Sequence, residues 1–319
     1  MQPVFRQIPV FILLLAIHGL LHAAPYAYIT NQDANNVSVI DTATSEVIAA
    51  IDVGEAPAGV AALHDNSYIF ISNPESKSVS VIDGNTHTVI KTISIGAGPL
   101  AVAAHPDGEK VYVADWYEDV VRVIAVSSLE VEATIKVGAS PSGLVVAPDG
   151  KTLYVANRDA NNIMAVDLND HHIRTTVEVG TAPFGLSLSA DGSQLYSANV
   201  QSNDASIVDT DSMQVIATVA VGDFPYASVA LPDASRLFVT NQRDSSVSVI
   251  ELDGFTEIQR IEVGMYPEGI ALHPDGNRLY VVNWADNNVS VIDSGSLEVM
   301  ETIETDMGSR GYGEFIAPR

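Results

Sequence analysis

Residues 143–183 read GLVVAPDGKTLYVANRDANNIMAVDLNDHHIRTTVEVGTAP, and this stretch holds one copy of the unit from which the chain is built. It contains four short apolar runs, at 143–147, 153–157, 163–167 and 173–179, separated by polar turns or turns containing Gly and Pro. The runs are rich in Val and Ile and too short for typical helices. They therefore predict consecutive antiparallel β-strands joined by turns.

Three series of residues repeat this unit along the chain with a constant spacing of 42 positions. The first series is Asn31, Asn73, Asp115, Asn157, Asn199, Asn241 and Asn283; the second is Gly54, Gly96, Gly138, Gly180, Gly222 and Gly264; the third is Pro57, Pro99, Pro141, Pro183, Pro225 and Pro267. Because one period runs without insertion, we expect residues 24–319 to form a single domain of seven repeats.

Four strands in a unit of this length are typical of a β-propeller blade. Helical repeats of similar length would show an apolar period of 3.6 residues, which is absent. The sequence therefore predicts an all-β fold, a seven-bladed β-propeller of four-stranded antiparallel blades. The residue two positions after each turn proline is small, as expected where inner strands crowd around an axis. These residues are Gly59, Ala101, Gly143, Gly185, Ala227, Gly269 and, in the last unit, Gly311.

The two ends of the repeat region indicate how the ring closes. The first run, 27–31, corresponds to the second strand of a unit, whereas the last run, 311–317, corresponds to the first strand. We therefore expect the C-terminal strand to complete the N-terminal blade, which leaves no open end to cap. The last unit departs from the pattern, since Asp306 and Ser309 stand where the other units have Gly and Pro.

Several of the runs resemble a known repeat. They are LYVAN at 153–157, LFVTN at 237–241, LYVVN at 279–283, and VSVID at 37–41, 79–83 and 289–293. These runs resemble the repeats of YVTN-family β-propeller proteins, and the resemblance extends over all of the repeat region. It implies a seven-bladed propeller, often exported. It implies little about activity, because such propellers serve as binding surfaces, cell-surface modules and parts of redox or hydrolytic systems.

The N-terminal residues have the composition of a secretory signal peptide. Arg6 is the only charged residue before Asp33, and an apolar run follows at 10–21. That run is shorter than the about 20 residues of a transmembrane helix. Since small residues follow it, we interpret residues 1–23 as a signal peptide cleaved near Ala23 or Ala24.

The charge and the missing cysteines exclude several classes of function. The chain has 15 Lys and Arg against 40 Asp and Glu, a formal net charge of −25. Such a field repels nucleic acids and anionic membranes, and it keeps an exported protein soluble. Without cysteine, the chain forms no disulfides and cannot carry thiolate zinc, cysteine-ligated iron–sulfur clusters or covalently attached c-type haem.

Candidate ligand-binding residues stand out as positions that vary between units. In a propeller, the loops that follow the outer strands and the turns after the second strands share one face, where ligands usually bind. The residues that follow the turn prolines or the Asn31 series, or precede a turn proline, provide an aromatic, mixed-charge set. We predict that this set forms the site: Trp116, Arg158, Phe184, Tyr226, Tyr266, Glu268, Trp284 and Arg310.

No catalytic residue and no metal ligand is predicted. The histidines form no metal-ligand spacing and no nucleophile–base set, and no phosphate loop, dinucleotide fingerprint or Gly-x-Ser-x-Gly motif is present. Loop carboxylates such as Asp159 and Asp286 supply oxygen atoms suited to calcium, although their spacing matches no EF-hand. A divalent metal is therefore the one cofactor left open.

Three functions remain compatible with the sequence. The leading expectation is a non-enzymatic propeller, periplasmic or secreted, that binds an envelope protein or a small molecule. We expect a monomer without membrane insertion and without nucleic-acid partners. The first alternative is a metal-assisted lactonase- or lyase-type enzyme, favoured by the acidic and basic residues Glu268, Arg310 and Glu314. The second is an accessory protein of a periplasmic, quinoprotein-type redox system.

The signal peptide can be tested by expressing the whole chain in a bacterium. We expect the purified protein to begin at Ala24 or Pro25, because signal peptidase cuts after small residues. A control with Leu13→Arg and Leu14→Arg interrupts the apolar run and should remain uncleaved. N-terminal sequencing checks both; a wild-type chain that keeps Met1 would contradict the interpretation.

Overall fold

A computed structural model describes residues 25–317, and within them the chain forms seven β-sheets arranged in a ring. Successive innermost strands contact one another all the way round, from blade to blade and back to the first. The predicted fold is confirmed: an all-β, seven-bladed propeller of four-stranded antiparallel blades. The predicted signal peptide lies outside the described residues. Within residues 25–317, no helix has the length and hydropathy needed to cross a membrane.

Each blade is a meander of consecutive strands that runs from the axis outward. Blade 1 contains β1 (Tyr26–Asn31), β2 (Asn36–Asp41) and β3 (Glu46–Asp52); blade 2 contains β4 (Gly59–Ala62), β5 (Tyr68–Asn73), β6 (Ser78–Asp83) and β7 (Thr88–Ser94); blade 3 contains β8 (Pro99–Ala104), β9 (Lys110–Asp115), β10 (Val120–Ala125) and β11 (Glu130–Lys136); blade 4 contains β12 (Pro141–Val146), β13 (Thr152–Asn157), β14 (Asn162–Asp167) and β15 (Ile173–Glu178).

The remaining blades follow the same plan. Blade 5 contains β16 (Pro183–Leu188), β17 (Gln194–Asn199), β18 (Asp204–Asp209) and β19 (Gln214–Ala220); blade 6 contains β20 (Pro225–Ala230), β21 (Arg236–Asn241), β22 (Ser246–Glu251) and β23 (Thr256–Glu262); blade 7 contains β24 (Pro267–Leu272), β25 (Arg278–Asn283), β26 (Asn288–Asp293) and β27 (Val299–Glu304); the last strand is β28 (Tyr312–Glu314). Two short 3-10 turns, Arg158–Ala160 and Gln242–Asp244, follow β13 and β21.

The two middle strands of each blade form the core. Their residues are buried at nearly every position, as in β5 and β13, because neighbouring blades cover both faces. The outer strands differ, since β3 buries only Ile51 and leaves most of its other side chains exposed to solvent. The apolar outer runs in the sequence are therefore partly exposed, and only one residue of each outer strand faces the neighbouring blade.

The Asn31 series is buried at one face, which we call the top face, where the second strand of each blade ends. In blade 6, Asn241 is fully buried, and its Oδ1 accepts a hydrogen bond from Gly222 N at 3.1 Å. Its Nδ2 donates to the hydroxyls of Ser246 and Ser248 at 3.0 and 2.9 Å. One amide thus ties the incoming loop, the end of β21 and the start of β22 together.

The glycine series is required by the same amide. A Cβ atom on Gly222 would lie 2.5 Å from Cγ of Asn241, and one on Gly264 would lie 2.7 Å from Cγ of Asn283. At these two positions a larger residue would push the buried amide out of place, since real Cβ atoms do not approach other atoms so closely. The two series repeat together because their atoms are in contact.

Blade 3 shows how the arrangement tolerates a carboxylate. Asp115 replaces the asparagine and accepts hydrogen bonds from Ala97 N and Gly98 N at 2.7 and 3.1 Å. A carboxylate cannot donate to a hydroxyl on the third strand. Arg122 occupies the place that Ser248 has in blade 6, with Nη2 3.8 Å from Asp115 Oδ2. The two departures from the repeat therefore compensate each other.

The ring closes as the sequence predicts. The C-terminal segment runs antiparallel along β1, with Arg310 N donating to Thr30 O at 2.8 Å and Tyr28 N donating to Phe315 O at 2.8 Å. Only β28 within this segment is a regular strand, and it also pairs in parallel with β4. Gly311 and Gly313 have φ values of 57° and 109°, which interrupt the regular pleat on either side of Tyr312.

The buried amide can be tested with Asn241→Ala. Removal of the side-chain amide leaves the buried Gly222 N–H without its hydrogen-bond acceptor. We therefore expect the free energy of unfolding to fall by roughly 2–3 kcal/mol. Asn277→Ala, which changes an exposed turn asparagine, is the matched control and should cost less than about 0.5 kcal/mol. Urea unfolding of both variants gives the values; equal losses would contradict the assigned role.

Candidate functional site

A cavity of about 410 Å³ opens on the top face above the axis. Its wall combines residues that follow the turn prolines with residues that follow the Asn31 series. The lining residues are Gln32, Ala56, Pro74, Glu75, Gly98, Leu100, Trp116, Tyr117, Arg158, Phe184, Val200, Phe224, Tyr226, Gln242, Glu268 and Arg310. The volume and the mixture of aromatic and charged groups suit a small organic molecule.

Most of the candidate residues converge on this cavity. Six of the eight line it, namely Trp116, Arg158, Phe184, Tyr226, Glu268 and Arg310. They do so because equivalent positions of successive units lie on a ring around the axis. The two remaining candidates, Tyr266 and Trp284, are not in its wall. They form an edge-to-face ring pair with centroids 6.1 Å apart, and Trp284 Nε1 donates to Gln32 Oε1 at 3.2 Å.

Aromatic rings form one side of the wall. The rings of Phe184 and Tyr226 lie 4.3 Å apart between centroids, and Trp116 lies 6.0 Å from Phe184. Arg158 covers the indole of Trp116, with Cζ 5.6 Å from the ring centroid. This is the geometry of a cation–π contact, and it keeps one cation at the mouth of an aromatic wall.

Tyr312 closes the axis beneath these rings. Its hydroxyl lies 3.1 Å from the carbonyl oxygens of both Ser142 and Phe184, which belong to blades 4 and 5, while Tyr312 itself belongs to the closing segment of blade 1. The side chain therefore spans the centre of the ring. Sequence reasoning missed this role. The signal was present, because Tyr312 is the only aromatic at a position that other units fill with Val, Leu, Ser or Ile.

A nearly buried ion pair forms the other side of the wall. Arg310 Nε donates to Glu268 Oε2 at 2.6 Å, and the two side chains are 16% and 6% exposed. Arg310 Nη2 donates to the Tyr226 hydroxyl at 2.6 Å. Gln242 Nε2 donates to the second carboxylate oxygen, Oε1, at 2.7 Å. Both oxygens of Glu268 are thus engaged by the protein, and Gln242 is a member of the site that the sequence did not single out.

The electrostatics keep Arg310 charged and both tyrosines protonated. Burial alone would lower the pKa of the Arg310 guanidinium, but the Glu268 carboxylate and the Tyr226 hydroxyl raise it above its ordinary value. Burial also raises the pKa of Tyr226 and of Tyr312 well above the usual range of a phenol. At neutral pH the cavity therefore presents the fixed guanidinium of Arg310 and the neutral phenol of Tyr226.

The cavity has few groups that suit a metal ion. Within residues 25–317, the only group of three potential ligand side chains with mutually close ligand atoms is Asp167, Asp170 and His172. This group lies after β14, at the end of that strand opposite to the top face, and Arg174 already binds Asp167. At the cavity, the buried carboxylate Glu268 is occupied by Arg310 and Gln242.

Comparisons with known proteins support the propeller fold. The family described as "Lactonase, 7-bladed beta-propeller" matches residues 96–224, which span blades 3 to 5. The match includes Trp116, Arg158 and Phe184 but ends before Tyr226, Glu268 and Arg310. A search of curated proteins gave no significant match.

Solved structures share the architecture at low sequence identity. Hydrazine synthase from Kuenenia stuttgartiensis is 22% identical, with a TM-score of 0.76, covering 84% of this chain and 92% of that one. A functionally unknown protein from Desulfotomaculum acetoxidans is 17% identical, with a TM-score of 0.79 and coverages of 92% and 99%. A candidate 6-phosphogluconolactonase from Bacteroides uniformis is 16% identical, with a TM-score of 0.76 and coverages of 89% and 98%. At these identities the likeness shows a common fold alone.

The contribution of the ion pair between Arg310 and Glu268 to stability can be tested with substitutions. Arg310→Met leaves Glu268 buried without its cation and should lower the free energy of unfolding by roughly 3 kcal/mol. Adding Glu268→Gln to Arg310→Met removes the uncompensated charge and should recover much of that loss. Arg260→Met removes an exposed guanidinium that pairs with Glu257 and Asp244 and should cost less than about 1 kcal/mol. Urea unfolding decides; a double variant no more stable than Arg310→Met would contradict this account.

Proposed function

We propose that this chain is a non-enzymatic binding protein whose ligand is a small molecule held in the axial cavity of the top face. The observation that carries the proposal is the convergence of six variable side chains from different blades on one cavity. Repeats keep structural residues constant, whereas here two cations, an acid and three aromatics differ from their counterparts in the other units. A cavity with an aromatic wall and a few fixed polar groups is the usual form of a small-molecule site.

The reactive groups at the cavity favour binding over turnover. Its described wall contains no His, Ser, Thr or Cys, the residues that usually act as nucleophile or base. The buried carboxylate of Glu268 accepts hydrogen bonds on both oxygens, from Arg310 and Gln242. With both oxygens engaged, this carboxylate holds the side chains of Arg310 and Gln242 in place.

The protein would act in the cell envelope. The signal-like residues 1–23 support export, and the net charge of −25 suits a soluble protein in the periplasm or outside the cell. A protein of this kind would bind its ligand as a monomer, alone or before passing it to an envelope partner.

A lactonase-type enzyme is the second candidate. The family match over residues 96–224 favours it, as does the likeness to the Bacteroides uniformis protein. In this case Arg310 would polarise the carbonyl of a lactone, and attack would require water activated by a group at the cavity mouth, such as the exposed Glu75. Binding is favoured over catalysis because both carboxylate oxygens of the deeper acid, Glu268, already accept hydrogen bonds.

The two tryptophans provide a matched test. They occupy equivalent positions of blades 3 and 7, but only Trp116 lines the cavity. A thermal-shift screen of sugars, lactones, quinones and organic acids should yield a compound that raises the melting temperature by mass action. The shift should be lost in Trp116→Ala and retained in Trp284→Ala, and chromatography should recover the compound unchanged. Loss in both variants would contradict the cavity as the site, and chemical conversion of the compound would favour the enzyme.

A further inference from the structure

The cavity wall contains hydrogen-bond donors that have no partner among the described residues. The guanidinium of Arg310 has five N–H groups. One on Nε goes to Glu268 and one on Nη2 goes to Tyr226, and those on Nη1 have no hydrogen-bond partner among residues 25–317. The side chain is 16% exposed and lines the cavity, so these donors face the space that a ligand would occupy.

Arg158 adds a second set of donors at the cavity mouth. Its Nη1 donates to Asp159 at 2.8 Å, and its remaining nitrogens have no partner within the described residues. Half of the Asp159 side chain is exposed, and Asp159 does not line the cavity. The positive end of Arg158 is thus only partly neutralised where it lies over Trp116.

Most of the deeper acceptors, by contrast, are engaged, whereas the exposed carboxylate of Glu75 lies at the cavity mouth. The two oxygens of Glu268 are taken by Arg310 and Gln242, and the Tyr226 oxygen accepts from Arg310. Gln32 Oε1 accepts from Trp284. A ligand that fills the cavity therefore has to supply acceptors for guanidinium donors, because buried donors left without partners are costly.

The aromatic wall sets the shape of the remainder of the ligand. Phe184, Tyr226 and Trp116 succeed one another around the wall, and Phe224 and Leu100 add apolar surface. A flat ring can stack on such a wall, whereas a branched polar molecule would leave it poorly covered. The cavity volume of about 410 Å³ leaves room for a molecule of one or two rings.

Resting on the function proposed above, we propose that the ligand is a flat cyclic carboxylate, with its ring against Phe184 and Tyr226 and its carboxylate on the guanidinium of Arg310. A guanidinium pairs with a carboxylate through parallel, charge-assisted hydrogen bonds, which a neutral carbonyl makes more weakly. Glu268 then has a defined role: its carboxylate accepts a hydrogen bond from Arg310 Nε and so orients the guanidinium. A cationic ligand is disfavoured by Arg310 and Arg158.

Two probes of the same shape test the carboxylate directly. The purified protein is titrated by calorimetry with 2-naphthoate and with 2-naphthamide, which differ in charge and share the ring. We expect the acid to bind at least about tenfold more tightly than the amide, the difference that a charge-assisted pair adds to a neutral hydrogen bond. Equal affinities, tighter binding of the amide, or no binding of the acid would each overturn the inference.

Variants assign the preference to Arg310. The combination Glu268→Gln with Arg310→Gln removes both charges together and so avoids an uncompensated buried carboxylate. In this variant we expect the preference for the acid to fall to about twofold or less. The control is Glu257→Gln with Arg260→Gln, an exposed pair on β23 that undergoes the same chemical change and should keep the full preference. Thermal melts establish that both variants are folded.

The outcomes separate this inference from the proposed function. If a neutral compound from the screen binds at the cavity and depends on Trp116, whereas 2-naphthoate does not bind, the site exists and the carboxylate inference is wrong. If the double variant, Glu268→Gln with Arg310→Gln, keeps the full preference for 2-naphthoate over 2-naphthamide, the acid binds elsewhere and the inference is again wrong. If no compound depends on Trp116, the proposed function itself fails.

Discussion

The buried polar side chain at the end of each second strand, an amide in six blades and the carboxylate of Asp115 in blade 3, is the feature on which the rest of the structure depends. In a propeller the top loops carry little regular hydrogen bonding, and buried backbone groups there need partners from side chains. Asn241 supplies them in blade 6 by joining Gly222 to the start of β22. The amide packs directly on the glycine, which explains why the two residues recur together in the units that have both.

A framework held in this way leaves the neighbouring positions free to vary. The residue after each turn proline and the residue after each Asn31-series member are positioned by the amide but take no part in it. Phe184, Tyr226, Glu268 and Arg310 occupy the first kind of position on four successive blades, counting the closing segment as the last. The fold therefore separates the residues that determine shape from those that determine what is bound.

The fold was predictable from the sequence because its determinants repeat, and much of the cavity was predictable because equivalent positions lie on a ring. The direction in which an individual side chain points was not predictable from the sequence. Trp116 and Trp284 are equivalent in sequence, but Trp116 lies beside Phe184, whereas Trp284 turns to Gln32 and Tyr266. That difference depends on neighbours from other blades, which no local pattern records. Gln242 was missed for the same reason, since its contact with Glu268 joins two blades.

The C-terminal segment that closes the ring has two structural roles, and the same residues serve both. It pairs with β1 and thereby completes blade 1, and it delivers Arg310 and Tyr312 to the axis. Gly311 and Gly313 serve the second role, since their positive φ values allow the bends on either side of Tyr312. The cavity thus exists only in the closed ring. A ligand held by Arg310 binds the closed ring and not the open chain, so its binding free energy adds to the stability of closure. Ring closure and formation of the ligand site are in this sense one event.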